Sequence, residues 1–135
     1  MDCTGRGLDV SPGFGLSGLP EKTGSLAVVL RDVSHPLFGS MTHWLIWDLQ
    51  VADEIPGSIP SGARPGIGES TQGIAYGWHR YRGPKPPAGT SHRYEFTVYA
   101  FDRMLGLRPT AGYRGFLKAS EGRTLGIGKV QGVFE

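Results

Sequence analysis

The stretch "RYEFTVYAFD", Arg93 to Asp102, is the most regular segment of this 135-residue chain. Polar and apolar residues alternate through its first half, and four of its residues are aromatic. Period-two alternation with aromatic and β-branched residues is typical of a half-buried strand. We therefore predict a strand here, and residues two apart then share one of its faces: His92, Tyr94, Phe96, Val98 and Ala100.

Three further strands are predicted around this segment. "SLAVVLRD", Ser25 to Asp32, is dense in β-branched and apolar residues, and "HWLIWDLQV", His43 to Val51, is almost as apolar. The closing "TLGIGKVQGVFE" alternates well enough to form a last strand. Before it, "AGYRGFLKASEG" has apolar residues at helical spacing and predicts a short helix that stops at Gly122.

The connections are rich in glycine and proline. The segment up to Thr23 is predicted to lie over the core as loop and short extended pieces. The segment 52–77 is longer than ordinary connections between strands, and we interpret it as a candidate functional loop.

Composition limits the class of protein. The chain has 22 glycines and 10 prolines spread between apolar runs, which favours one β-rich domain over residues 1–135. A net charge of +2 is too small for binding that depends on phosphate neutralisation alone. Cys3 is the only cysteine and cannot form an internal disulfide. No apolar run reaches the roughly 20 residues of a spanning helix, and the first residues lack a signal-peptide pattern, so a soluble cytoplasmic protein is expected.

Polar residues end the apolar face of each predicted strand. Asp32 is in phase with the apolar residues of the first strand, and His43 is in phase with Leu45, Trp47 and Leu49 of the second. A short connection makes antiparallel pairing of these strands the simplest topology. If the strand from Arg93 also runs opposite to the first, Asp32, His43, His92 and Tyr94 meet at one end of the sheet. Arg31, Asp48 and Glu95 fall on the opposite faces, where solvent exposure is expected.

A stiff loop precedes the strand that begins at Arg93. In "YRGPKPPAG" the prolines fix backbone dihedral angles, and Gly83 and Gly89 leave them free. Such a rim loses little conformational entropy when a ligand binds. A plain proline-rich turn would have the same composition, so both interpretations stay open at this point.

Taken together, these motifs resemble the phosphatidylethanolamine-binding proteins, which include the Raf kinase inhibitor proteins. The resemblance runs from "DVSP" at Asp9 to Pro12 through "LSGLPEKTGSLAVVLRD", "HWLIWDL", "YRGPKPP" and "HRYEFTVYAFD" to "GVFE". It implies a mainly β fold, an antiparallel Greek-key sandwich of a large and a smaller sheet with a short peripheral helix near the C-terminus. It also implies a small cavity near the surface that accepts phosphate-like or carboxylate anions.

The resemblance assigns site residues. Asp32 matches the first aspartate of the family's D-P-D-x-P motif, although Val33 and Ser34 replace its proline and second aspartate. His43 matches the histidine of the H-W strand. The histidine and tyrosine of H-R-Y correspond to His92 and Tyr94. The loop that walls the cavity corresponds to 81–87, and from it we select four ligand-binding candidates: Tyr81, Gly83, Pro84 and Pro86.

These residues predict a binding function. Imidazole and phenol donors suit an anionic oxygen, and Asp32 is expected to accept an imidazole N–H and orient the ring. The expected ligand is phosphate, a phospholipid head group or a carboxylate, with no cofactor and no metal. Through the resemblance, a kinase or protease is a candidate protein partner, and a homodimer is a candidate assembly.

Two other functions compete with this prediction. Two histidines and a carboxylate could hold a metal or activate a nucleophile in a small hydrolase, although no G-x-S-x-G or H-E-x-x-H motif is present. Trp78, Arg80, Tyr81, Arg82 and Lys85 interleave aromatic and basic residues as single-stranded nucleic-acid binders do. We favour a protein that is not an enzyme and does not bind nucleic acid.

Overall fold

The computed structural model describes residues 10–34, 41–75, 78–81 and 92–134, with the backbone alone at 41, 92 and 131–134. Within these ranges the chain forms seven strands and one helix. In order they are β1 (Phe14–Gly15), β2 (Ser25–Asp32), β3 (Met41–Leu49), β4 (Glu54–Ile55), β5 (Thr71–Gln72), β6 (His92–Phe101), α1 (Tyr113–Ser120) and β7 (Thr124–Phe134).

Five strands form a central antiparallel sheet in the order β5-β3-β2-β6-β7, and β1 pairs with β4 in a second, two-stranded sheet. The expected large and small antiparallel sheets are confirmed. β2 has its predicted bounds, whereas β3 starts two residues before His43 and ends at Leu49. The segment 52–77 is not loop throughout, because it contains β4 and β5.

The two faces of the central sheet bury separate apolar clusters, and alternation of side chains along β2 divides its residues between them. The first core lies on the side of the small sheet and consists of Phe14, Leu26, Val28, Leu30, Trp44, Ile46, Leu49, Ile55, Ile59, Tyr81, Tyr94, Phe96 and Ala100. The second core lies on the side of α1 and consists of Ala27, Val29, Leu45, Trp47, Tyr99, Phe101, Leu105 and Phe116.

The predicted short helix is confirmed as α1. Phe116 is its fully buried anchor in the second core and contacts the rings of Trp47, Tyr99 and Phe101. Gly122 follows with a φ of 73°, the left-handed conformation that glycine adopts without steric cost at helix ends. Gly122, the residue predicted to stop the helix, therefore acts through its backbone conformation.

Candidate functional site

Three strands meet at the end of β2. Asp32, the last residue of β2, is opposite Met41 at the start of β3 and opposite Tyr94 near the start of β6. Both neighbouring strands run antiparallel to β2, so the end of one strand lies beside the beginnings of two others. The predicted topology for Asp32, the His43 strand and Tyr94 is confirmed.

A β-bulge places His43 at this end of the sheet. Leu30 of β2 is opposite Trp44, but the next residue, Arg31, is opposite Thr42, so the register skips His43. A bulge inserts one extra residue into a strand and re-aims its side chain. The His43 ring then lies 5.1 Å from the Tyr94 ring, edge to face at 84°.

The prediction of which residues share a face of the strand with His43 is wrong in part. Leu45 and Trp47 belong to the second core, whereas Tyr94 belongs to the first. Simple alternation along β3 would have placed His43 with Leu45 and Trp47, on the opposite side from Tyr94. The bulge reverses that phase, and it is the reason that His43 meets Tyr94.

All three polar side chains of this cluster are buried. The exposed fraction is 6% for Asp32, 7% for His43 and 2% for Tyr94. Buried polar groups are hydrogen-bonded in folded proteins, and burial makes each such bond more consequential than it would be in water. A carboxylate, an imidazole and a phenol therefore occupy one protected end of the first core.

Ser34 holds the end of β2 in place. Its backbone N–H donates to Oδ1 of Asp32 at 2.9 Å, a local turn in which an aspartate caps the residue two positions on. The backbone N–H of Arg93 donates to the Ser34 hydroxyl, and the Val33 N–H donates to the Arg93 carbonyl at 2.9 Å. The serine that replaces the family's second aspartate thus links β2 to β6 just beyond Asp32. The sequence pattern marks Ser34 only as a departure from the motif and gives no signal of this role.

Tyr81 lies on the same side of the sheet. It is 6% exposed, and its ring is 5.4 Å from that of Trp44 and 6.4 Å from that of Phe96. Tyr81, predicted to wall the cavity, therefore lies in the first core, beside the strand that carries Tyr94. Gly83, Pro84 and Pro86 lie outside the described residues. The backbone of His92 is opposite Phe134 of β7, and its side chain lies outside the described part of the structure.

Gln72 fixes the loop that leads to Tyr81. Its side chain is fully buried, and its Oε1 accepts the indole N–H of Trp44 at 2.8 Å. Its amide nitrogen is within hydrogen-bond distance of three backbone carbonyls, those of Pro60, Gly62 and His79. One glutamine therefore ties three positions of the loop to β3. A lone glutamine in a glycine-rich loop carries no sequence signal of this kind, and the prediction missed it.

The three charged residues expected in solvent are all at least partly buried. Asp48 is 5% exposed, and its carboxylate accepts the backbone N–H groups of Leu105 at 2.6 Å and Gly106 at 3.0 Å. Arg31 is partly buried, with its guanidinium 3.9 Å from the centre of the Tyr113 ring. The third, Glu95, is also partly buried and forms an ion pair with Lys129 at 3.5 Å. The prediction of solvent exposure is wrong for Asp48. The exposure of Arg31 and Glu95 is intermediate.

Three clefts formed by described residues lie away from this cluster. One of about 350 Å³ lies along β7, and two lie near Asp48 at the opposite end of β3. None of these three is lined by Asp32, His43 or Tyr94. Among the described residues, no group of three or more metal-ligating side chains comes together. No helix in the described ranges is long and apolar enough to cross a membrane.

Trp78 and Arg80 are placed close to Tyr81 in the chain. Trp78 is 54% exposed, and the Arg80 guanidinium lies 5.1 Å from the centre of its ring. An exposed aromatic ring with a stacked cation is compatible with several surface roles.

Comparisons with known proteins find relatives along almost the whole chain. A UPF0098 protein of Pyrococcus abyssi is 36% identical over 98% of this chain and 75% of its own length. A UPF0098 protein of Methanothermobacter thermautotrophicus is 35% identical over 95% of this chain and 84% of its own length.

Two solved structures are similar. A Chlamydia trachomatis protein described as a phosphatidylethanolamine-binding protein homolog has a TM-score of 0.79 and 26% identity, over 93% of this chain and 81% of its own. The Escherichia coli protein YbcL has a TM-score of 0.83 over 94% of this chain and 80% of its own, and at 22% identity it supports the fold alone. The family model described as phosphatidylethanolamine-binding protein matches residues 1–135. With that match over its whole length and an antiparallel fold to accompany it, this chain belongs to the phosphatidylethanolamine-binding protein family.

Proposed function

We propose that this protein binds small oxyanions, such as phosphate, a phosphorylated head group or a carboxylate, at the end of β2. The observation that carries the proposal is the meeting of Asp32, His43 and Tyr94, three buried polar side chains from three strands, with the His43 and Tyr94 rings 5.1 Å apart. The family description, a binding protein for a phospholipid, is in agreement.

The chemistry of these groups suits an anion. A protonated imidazole and a phenol both donate hydrogen bonds, and bonds from a charged donor to an anionic oxygen are about twice as strong as neutral ones. In this proposal His43 and Tyr94 face the ligand, and His92, two residues before Tyr94 on β6, supplies a second imidazole. Asp32 orients an imidazole, and the backbone N–H of Ser34 holds the Asp32 carboxylate in place.

The proposal is tested by calorimetric titration with sulfate between about pH 5 and 8, the range in which histidine changes charge. Sulfate keeps its own charge across this range, so any pH dependence belongs to the protein. We expect affinity to rise as the pH falls. His43→Gln should remove most of this dependence. His79→Gln is the matched control, because it removes a loop imidazole whose Nδ1 lies 2.9 Å from the Gln72 carbonyl oxygen. Sulfate binding with no pH dependence, or equal effects of the two variants, would contradict the proposal.

The ligand class is resolved by a second pair of titrations. Phosphoethanolamine and inorganic phosphate share the phosphate group and differ in the ammonium arm. Tighter binding of phosphoethanolamine indicates a head-group site, and equal binding indicates a general oxyanion site. If neither of these ligands binds and sulfate does not bind either, the proposed anion site at the end of β2 is rejected.

We propose a binding role without catalysis, in the cytoplasm, and regulation of a kinase or protease as its cellular use. The description of the family as a binding protein supports the first part. Elemental analysis of the purified protein separates binding from metal-dependent hydrolysis, since stoichiometric zinc or iron would favour an enzyme. Cell fractionation tests the location, and inhibition assays on purified kinases and proteases test the partner.

A further inference from the structure

A cleft of about 430 Å³ lies at the end of β3 that is farther from His43. The described residues that line it include two carboxylates, one amide and three apolar side chains: Asp48, Glu69, Gln50, Leu49, Val51 and Met104. No lysine, arginine or histidine is among the described residues that line it. The chain as a whole has a net charge of +2, so the cleft is an acidic region on a weakly basic protein.

Asp48 gives this cleft a buried negative charge. It is 5% exposed, and its carboxylate accepts the backbone N–H groups of Leu105 and Gly106. An ionised carboxylate offers about four acceptor positions, so these two donors leave part of its capacity unused. Both donors are neutral, and within the described part of the chain no lysine or arginine forms an ion pair with Asp48. The negative charge is therefore not compensated by a cation, and burial limits its screening by salt.

Glu69 adds a second carboxylate, on a turn whose backbone is fixed. The Ser70 hydroxyl donates to the Ile67 carbonyl oxygen at 2.7 Å, and the Ser70 backbone N–H donates to the same oxygen at 3.1 Å. Gly68 has a φ of 56°, and a Cβ atom added there would meet no other atom within 4 Å, so the wall beside Glu69 is open. Glu69 itself is exposed, and it too forms no ion pair with another described residue.

The apolar wall of the cleft is partly open to solvent. Val51 is 37% exposed and Met104 is 41% exposed, whereas Leu49, at 2%, continues into the first core. Long cationic groups pack their methylenes on apolar surface and keep the charged head at a polar acceptor. Carboxylates beside exposed apolar side chains match both parts of such a group.

We propose that this cleft binds an alkylammonium or alkylguanidinium group, with its charged head at Glu69 and Asp48 and its methylene stem against Val51 and Met104. Hydrogen bonds from a cation to a carboxylate are about twice as strong as neutral ones. A hard metal cation fits less well, because Ca²⁺ takes roughly six to eight oxygen ligands. Among the described residues no group of three or more metal-ligating side chains comes together.

This cleft is separate from the proposed anion site. Asp48 lies five positions along β3 from His43, roughly 15 Å at the rise of a strand. The two sites also select opposite charges. A protein that fails to bind sulfate can therefore still bind the cation, and the reverse also holds.

Chemical-shift titration of isotope-labelled protein with butylammonium tests the proposal. We expect the backbone N–H signals of Gly68, Glu69 and Met104 to shift, with affinity rising up to about fourfold for each methylene from ethylammonium to butylammonium. Glu69→Gln should lower the affinity at least about fivefold. Glu54→Gln is the matched control, because it removes an exposed carboxylate of β4 that does not line the cleft, and it should change affinity by less than about twofold. Equal effects of the two variants, or affinity that ignores chain length, would overturn the proposal.

Asp48→Asn tests the buried charge, since asparagine keeps an acceptor oxygen and loses the negative charge. In protein shown to be folded by urea denaturation, butylammonium affinity should again fall at least about fivefold. Unchanged affinity in the folded variant would reject a site built on two carboxylates. Sulfate titration of Glu69→Gln should match wild type, which separates this result from the anion site.

Two further probes carry the same cationic group and distinguish its source. Tighter binding of 1,4-diaminobutane assigns the cleft to a free polyamine. Tighter binding of a lysine residue blocked at both its amino and carboxyl ends assigns it to a side chain of a partner protein. If neither probe binds, the proposed cation site is rejected.

Discussion

β3 contains two irregularities in its pairing with β2, one near each end, and each is associated with a buried polar residue. Near its start the register skips His43, whose ring lies against Tyr94. Near its end the register shifts again, and Asp48 adopts a φ of 58°, the left-handed region that only a few residue types tolerate. Both residues are nearly inaccessible, at 7% and 5% exposure.

The partners of the two residues differ. The Asp48 carboxylate receives two backbone N–H groups from the Leu105–Gly106 turn, so its charge is used to hold the fold together. His43 lies among side chains of other strands that can themselves bind or release protons, Asp32 and Tyr94. The irregularity at Asp48 therefore anchors a turn. The irregularity at His43 brings titratable side chains together at the end of a sheet. Burial alone does not separate a structural polar residue from a functional one.

The largest effect is expected at Asp48. Asp48→Ala leaves the N–H groups of Leu105 and Gly106 without their acceptor, and we expect a loss of about 2–4 kcal/mol in the free energy of unfolding. Urea denaturation measures it. Anion affinity should stay within about twofold of wild type, because the two ends of β3 act separately.

Asp48→Asn is the matched control for that variant. Asparagine tolerates the left-handed conformation and keeps one acceptor oxygen, so we expect roughly half the loss seen for alanine. If alanine and asparagine are equally stable, the carboxylate does not anchor the turn.

The opposite pattern is expected at His43, where a substitution should lower anion affinity and leave the free energy of unfolding nearly unchanged. His43→Gln should lower sulfate affinity at about pH 6 by at least tenfold, since a charged donor is replaced by a neutral one. The free energy of unfolding should change by about 1 kcal/mol or less, a typical value for single substitutions. Calorimetric titration and urea denaturation of the same preparation measure both quantities. A variant that unfolds readily but binds sulfate normally would make His43 structural, like Asp48.

A smaller effect is expected at Ser34. Ser34→Ala removes the hydroxyl that accepts the Arg93 N–H but keeps the backbone N–H that donates to Asp32. We expect a loss of about 1–2 kcal/mol in stability, since the hydroxyl also donates to the Arg93 carbonyl oxygen at 3.4 Å and both neutral contacts are removed. Sulfate affinity should fall by about threefold, equivalent to ~0.6 kcal/mol, because the end of β2 is held less firmly. Unchanged stability would show that the link between β2 and β6 does not depend on this hydroxyl.

The smallest difference between variants at the two ends of β3 should appear at high pH, where both should respond equally. Burial, with a contribution from Tyr113, raises the pKa of Tyr99 to about 12. An unfolded tyrosine has a pKa of about 10, so the folded state holds the proton more tightly. This contribution is complete below about pH 10 and is lost as the pH rises toward 12. Denaturation series at increasing pH should show the decline in wild type, Asp48→Ala and His43→Gln alike, and Tyr99→Phe should reduce it.

Much of the fold could be predicted from the sequence because its strands are regular. Alternation in β6 and the apolar run in β2 placed these strands within one residue at either end. A glycine after the helix placed the end of α1, since few other residues adopt its positive φ. The neighbourhood of Asp32 and Tyr94 followed from antiparallel pairing. These features depend on residues close together in the chain.

The irregular features could not be predicted in this way. Strict alternation placed His43 with Leu45 and Trp47, and placed Asp48 in solvent, because a bulge changes phase without changing composition. Gln72 and Ser34 act through backbone groups of segments distant in sequence, which no local pattern records. The signal that could have indicated Asp48 is its position as a charge inside an otherwise apolar run.

The sequence by itself determined that this is a β-rich member of the phosphatidylethanolamine-binding protein family, with Asp32 and Tyr94 brought to one end of a sheet. Tertiary structure alone decided which polar side chains point into that end and which anchor turns. The physical reason is that periodicity sets the faces of one strand, whereas the register between strands, and each bulge in it, is set by the best joint pairing of backbone and side chains across the whole sheet.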